Sequence, residues 1–482
     1  MQVKIAGYNV DADLLHRFKE AMKRLALGMD AVDVAADLNL QEALDADNLT
    51  PETISAAYAR ISRCPESVSE LRRSAARSVQ RARKSNRTII FDYGHNSVAE
   101  HAVFNVDITG ISRLAVETVE GRRLMSYTEK SQRYMALNRE YVVPPEIAVS
   151  PFKERLENLC EDAFNLYQRF LQKIEGHFGE EAKYTAREDA RYIIPLACAA
   201  QLGMTGNARN IEHLLRRTLN HPLSELREFG RQLKEQAEKV APSLIRHLEA
   251  EHFETEDFPQ VYTGKIPEQE VTLANCLEDV DAYTLTGMIF AGEGLSCEEA
   301  YNKAKNMPSV ERKAYFQARL KDLRAYHTLP RTFETAQFGF ELLVSATAFA
   351  QLKRHRIAQL LALPYEPKLG VMIPQTIKDC GMEKEFNRQI AAAEKLYQII
   401  LEKLPYQAPY ALTNAHRRVV YFQANARELA HLARLRMDKE AQWDIRRIAG
   451  MMIDAAQAKA PLTMGLACGK DEFEGCYRKF ME

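Results

Sequence analysis

Apolar positions recur at helical spacing over long stretches of this chain, and short alternating runs interrupt them. The stretches 152–178, 226–247 and 386–401 carry apolar and charged residues at helical intervals. Residues 15–80 read as helical, with Pro51 at a helix start behind Asn48 and Thr50. Further helices are expected over 111–121, 277–292 and 295–307. A strand is expected at 3–8, and another at 104–110, where Phe104, Val106 and Ile108 alternate with polar residues. The stretch 186–202 opens polar and turns apolar.

The order of elements repeats. A mostly apolar stretch, 102–119, leads into the run 121–134, which concentrates basic residues, Glu129 and several hydroxyls. A second apolar stretch, 338–350, leads into Gln351, Lys353, Arg354, His355 and Arg356. Each half then carries an Asn-Ala-Arg, at Asn207 to Arg209 and at Asn425 to Arg427. The segment 330–341 also echoes 97–107. A duplicated module explains this order, with halves 1–250 and 271–482. The stretch 251–270 between them is acidic, contains prolines and reads as a linker.

Composition adds limits. The net charge of -1 over 482 residues gives no global pull towards nucleic acid or an anionic membrane. No apolar run is long enough to cross a bilayer, and the N-terminus lacks a signal-peptide core. The eight cysteines are scattered without a CxxC pair, which fits a reducing compartment and a cytoplasmic location. The spacing of His95 and His101 is not that of a zinc protease, and no metal site is expected. Ser97 and Glu100 have the spacing of a capping box, and the basic stretch 69–84 reads as a solvated helix face.

Arg122, Arg123, Arg133, Arg354, Arg356, Arg427 and Arg436 have the planar fork that suits phosphate oxygens. No glycine-rich phosphate loop is present, so a nucleotide site would rest on arginine side chains. Ser131 has no local His/Asp pair for a hydrolase triad. Interface ion pairs and nucleic-acid binding are the competing readings. The latter lacks an aromatic-basic interleave beyond Arg133 and Tyr134.

These residues resemble the flavin-dependent thymidylate synthases. The first half carries Gly94, His95, Ser97, Glu100 and His101 of that family's pattern. It has Gly121 and Arg122 where the family has Arg and His, and Thr128 for an asparagine. It keeps Ser126, Glu129, Ser131, Arg133, Tyr134, Arg191, Asn207 and Arg209. The second half is the reverse. Arg354, His355 and Arg356 are intact, as are Gln351, Asn425, Arg427, His431, Arg436 and the run 441–446. Its serine end is lost at Pro364, and Pro409 stands where Arg191 would be matched.

The resemblance implies an α+β fold of two tandem modules, helix-rich with antiparallel sheet. It implies one dUMP site shared by the modules, from Glu129, Ser131, Arg133, Arg191, Gln351, Arg354 and Arg436, with Ser131 and Arg436 as the catalytic groups. It implies FAD held by His95, Ser97, Glu100, Arg354, His355, Arg356, Asn425, Arg427 and His431. NADPH and methylenetetrahydrofolate would be cosubstrates, and dTMP the product. A homodimer would mimic the family tetramer, with neither nucleic acid nor membrane as partner. A flavoenzyme for another pyrimidine nucleotide and a non-catalytic homologue are the alternatives.

Overall fold

The structure, a computed structural model, describes residues 1–37, 49–249 and 261–482. Asn48 and half of the expected linker, 251–260, lie outside them. The chain forms two compact units. The first holds Met1–Ser131, Leu137–Glu157 and Ala197–Phe258; the second holds Gln132–Ala136, Asn158–Leu196 and Pro259–Glu482.

Each unit carries a four-stranded antiparallel sheet. In the first, β1 (Gln2–Tyr8), β2 (Val103–Ser112), β3 (Ser126–Glu129) and β4 (Ala199–Asn207) lie in the order β1-β2-β4-β3. In the second, β5 (Val271–Cys276), β6 (Gln337–Ser345), β7 (Gln359–Ala362) and β8 (Arg417–Asn425) lie in the order β5-β6-β8-β7. The repeat in the sequence is therefore a repeat of topology, and the fold is a helix-rich α+β duplication.

The alternation in β2 turns Phe104, Val106 and Ile108 inward and leaves Asn105 and Asp107 exposed. The β2–β4 register shifts between Thr109 and Ile111, where Gly110 takes a φ of 69°. A glycine suits that bulge because a Cβ disfavours left-handed backbone. In the second unit, Phe338, Phe340, Phe422 and Leu342 pack in one core with Phe316, Phe333 and Met452. Six strands were not foreseen: β3, β4, β5, β6, β7 and β8. The expected helix 226–247 is Ser224–Val240.

Both repeats end their second strand in the same way. Ser112 Oγ accepts from Ala115 N and donates to Glu225, capping the helix Arg113–Glu120. Ser345 Oγ accepts from Ala348 N and donates to Asp444, capping Ala346–Leu352.

Inside the second unit, matching segments of the two repeats meet each other. Strands β4 and β8 each have nine residues, so Ile194 corresponds to Leu412 and Leu196 to Asn414. Leu196 N donates to Leu412 O at 2.7 Å, and Asn414 N donates to Ile194 O at 2.9 Å. Pro195 bridges to Thr413 between them. Such reciprocal contact between equivalent residues is the signature of a local twofold axis. Phe170 stacks on Phe386 across the helices Lys153–Phe178 and Glu383–Leu401, and Gln389 Nε2 donates to Leu159 O.

One buried group makes the fold sensitive to acid. His221 is buried, and its Nδ1 accepts from Leu223 N at 3.1 Å. Burial, with Arg217 and Arg227 nearby, pushes its pKa from 6.5 down to about 3. Between these values the unfolded chain binds a proton that the folded chain refuses, so stability falls as pH drops below about 6.5. His221→Asn should flatten this acid-side loss in urea-unfolding midpoints measured from pH 7.5 to 5. An unchanged slope counts against the assignment.

Candidate active site

Arg354, His355 and Arg356 lie on the turn that follows the helix Ala346–Leu352. Arg436 ends the helix Ala426–Arg436, and its Nε donates to His355 Nε2 at 3.1 Å. His355 Nδ1 lies 3.1 Å from Glu428 Oε1. Because Nε2 accepts from a guanidinium, the proton sits on Nδ1 and is shared with the carboxylate. Burial holds His355 below its ordinary pKa, against the opposing pull of Glu428, and keeps this tautomer neutral. Burial and the neighbouring Arg354 lower Arg436 to about 10.

The second unit also holds residues from the first repeat. Arg133 forms an ion pair with Glu188 and donates from Nη1 to Glu440 O at 2.8 Å. Arg191, just past the helix Lys183–Ala190, donates from Nε to Glu188 O at 3.1 Å. The Arg191 carbonyl accepts from Asn414 Nδ2 at 3.0 Å. Gln351 Nε2 donates to Gln442 Oε1 at 3.4 Å, and Gln442 Nε2 donates to the Tyr192 hydroxyl at 3.0 Å. Gln442 Oε1 also accepts from Asp444 N and Ile445 N, capping the helix Trp443–Lys459. Continuous hydrogen bonds therefore link Gln351 to the residue next to Arg191.

Other sequence-predicted residues hold the fold together. Asn207 and Asn425 cap the helices Ala208–Leu219 and Ala426–Arg436 by accepting from Asn210 N and Glu428 N. Arg209 pairs with Glu100 at 2.5 Å, and Arg427 pairs with Glu334 at 2.8 Å, the same bond in each repeat. Ser97 and Glu100 do not form the expected capping box. They lie in a short 3-10 turn, Asn96–His101, with no side-chain cap, and Glu100 is committed to Arg209. His95 is exposed, 3.3 Å from Arg63 Nη2. In the first unit, Glu129 pairs with Arg113 at 2.7 Å, both nearly buried. Ser131 is the last residue of its segment before the chain enters the second unit at Gln132. Arg356 and His431 are exposed, with the His431 ring 5.9 Å from that of His355.

The sequence reading missed Asp189, Tyr192, Gln442, Trp443 and Asp444 as a group. Trp443 Nε1 and Thr376 Oγ1 each donate to Asp189 at 2.7 Å. Burial raises the Asp189 carboxyl to about 6, with Glu188 adding to the rise and Trp443, Thr376 and Arg191 opposing it. Asp444 Oδ2 accepts from Ser345 at 2.6 Å and from the Tyr192 hydroxyl at 3.1 Å. The signal available was the acidic pair Glu188 and Asp189 directly before Arg191.

A family model described as thymidylate synthase complementing protein matches residues 44–243 and again 291–462. A UPF0159 protein of Chlamydia muridarum is 25% identical over 411 residues, covering 77% of this chain and 78% of that protein. A flavin-dependent thymidylate synthase of Clostridium tetani is 30% identical over 241 residues, covering 47% of this chain but 90% of that protein. The crystal structure of flavin-dependent thymidylate synthase ThyX from Helicobacter pylori, complexed with FAD and dUMP, aligns at a TM-score of 0.31 and 16% identity, covering 51% of this chain and 100% of that one. Among the described residues, no helix is long and apolar enough to cross a membrane.

Removing the Ser345 hydroxyl deletes a helix cap and one of Asp444's donors together. Ser345→Ala should destabilise the protein by about 1–3 kcal/mol. An unchanged urea midpoint sinks the claim that this buried bond supports the network.

Proposed function

Since the chain belongs to the thymidylate synthase complementing protein family, matched in both halves, we propose that it is a tandem flavin-dependent thymidylate synthase converting dUMP to dTMP. Methylenetetrahydrofolate would donate the one-carbon unit and NADPH the reducing equivalents. The supporting observation is that Arg133 and Arg191 of the first repeat share one compact unit with Gln351, Arg354 and Arg436 of the second. The reciprocal set is absent from the sequence: Gly121 matches Arg354, Pro409 matches Arg191, and Pro364 matches Ser131. One functional dUMP site per chain follows.

In this reading, the guanidinium groups of Arg133, Arg191 and Arg354 bind the phosphate of dUMP, and Gln351 orients the nucleotide. Arg436 stabilises negative charge developing on the uracil. It is suited to this because His355 accepts from its Nε and fixes its direction. Glu129 and Ser131 belong to the substrate set, Ser131 polarising the pyrimidine. FAD is the cofactor, proposed to be held by Arg354, His355, Arg356, Asn425, Arg427 and His431, and by His95, Ser97 and Glu100. Each unit by itself offers suitable groups: exposed Arg356 and His431 in the second, and exposed His95 and Ser97 in the first, carry the charge and donors that a diphosphate or a flavin ring accepts. When bound, the flavin supplies the redox equivalents and relays the carbon. Two copies of the chain would assemble as a homodimer in the cytoplasm.

Purified protein should bind FAD and turn over dUMP with methylenetetrahydrofolate and NADPH, read as dTMP. Ser131→Ala and Arg354→Ala should each lower kcat/KM for dUMP by about 10²-fold. A protein that cannot be reconstituted with FAD overturns the proposal. Loss of dUMP binding in Ser131→Ala with none in Arg354→Ala refutes the shared site.

A further inference from the structure

Trp443 is the single tryptophan of the chain, and its surroundings differ between the repeats. The helices Ser224–Val240 and Trp443–Lys459 have the same length, and Glu225 and Asp444 bind the matching Ser112 and Ser345. Ser224 therefore stands where Trp443 does. In the first unit, Ser224 Oγ donates to Glu146, one residue before the buried Ile147. Thr376 has the same place before the buried Ile377. In the second unit, these two positions do not bond directly. Asp189 stands between them and takes one hydrogen bond from Trp443 and one from Thr376, each 2.7 Å.

Asp189 lies in the last turn of the helix Lys183–Ala190 that leads to Arg191, and the Trp443 ring stacks on Tyr192 at 5.6 Å with 15° between planes. Trp443 thus holds the residues on both sides of Arg191, one by its N–H and one by its ring face. It also begins the helix capped by Gln442, the partner of Gln351. We infer that Trp443 and Asp189 form a positioning brace that fixes Arg191 of the first repeat relative to Gln351 of the second, and so sets the affinity of the nucleotide site.

The inference rests on the reading of Arg191 and Gln351 as dUMP-binding residues. A buried hydrogen bond to a carboxylate is strong, and its loss frees the group that it orients. A phenylalanine keeps the ring stack and removes only the N–H. An asparagine at 189 keeps an acceptor for the indole and a donor for Thr376.

The test uses the full chain loaded with FAD, with dUMP as the titrant. Trp443→Phe should weaken dUMP binding about tenfold, raising KM while kcat stays near wild type. Asp189→Ala should weaken it at least as much, and the double variant no further than Asp189→Ala, because that variant already removes the bond that Trp443→Phe removes. Asp189→Asn should stay within about threefold of wild type. In wild type and Asp189→Asn, dUMP should change the lone tryptophan's fluorescence; in Asp189→Ala the change should be lost. Flavin absorbance should be the same in all. Wild-type dUMP affinity in Trp443→Phe or Asp189→Ala overturns the brace, as does full additivity in the double variant. A wild-type chain that does not bind dUMP overturns the functional reading beneath it, a result distinct from unchanged variants.

Discussion

The exchange of backbone hydrogen bonds between Leu196 and Leu412 and between Asn414 and Ile194 is the constraint from which the second unit's arrangement follows. Contacts between matching residues impose a local twofold relation, and such a relation would give each repeat the same surroundings. Side chains then decide what each side can do. Arg191 enters this segment on one side and Pro409 on the other. The backbone is nearly symmetric while the chemistry is one-sided.

Electrostatics sharpen the one-sidedness. Arg436 is half-buried beside His355, and its proton affinity is lowered by desolvation and by Arg354. Like charges held close together repel, and each lowers the proton affinity of the other. His355 does not add a third charge, because burial keeps it neutral and Glu428 holds its Nδ1 proton. On the other side, Thr218 stands at the place of Arg436, at the same distance past its capping asparagine, and Gly121 stands at the place of Arg354.

The duplication, the long helices and the two arginine clusters were legible because helical periodicity and repeated motifs are local patterns. Strands β4 and β8 were not. Small residues such as Ala199, Ala200, Gly203 and Gly206 blur the alternation in β4, and its identity as a strand comes from pairing with β2 and β3. Ser97 and Glu100 show the converse failure. Their spacing satisfies a local capping rule, but an ion pair with Arg209, distant in sequence, claims the carboxylate. The candidate arginines were found, yet Glu188 and Asp189 beside them were not, and Gln442 and Trp443 were noted only as part of the run 441–446, without their partners. Those act through contacts between remote segments, and no short spacing encodes such contacts.

The degeneration of each repeat also has a physical order. In the first unit, Arg113 and Glu129 form a nearly buried pair. At the matching places in the second, directly after Ser345 and at the end of β7, stand Ala346 and Ala362. Loss of one member would leave a buried charge without compensation, whereas loss of both leaves two small apolar residues. The pairs that hold the fold in both repeats, Glu100 with Arg209 and Glu334 with Arg427, are both kept. The capping asparagines and these two ion pairs persist in both repeats, whereas Arg191, Arg354 and Arg436 each stand in one repeat only. Joint loss of the pair leaves no uncompensated buried charge, so the second sheet tolerates Ala346 and Ala362 where the first needs both Arg113 and Glu129.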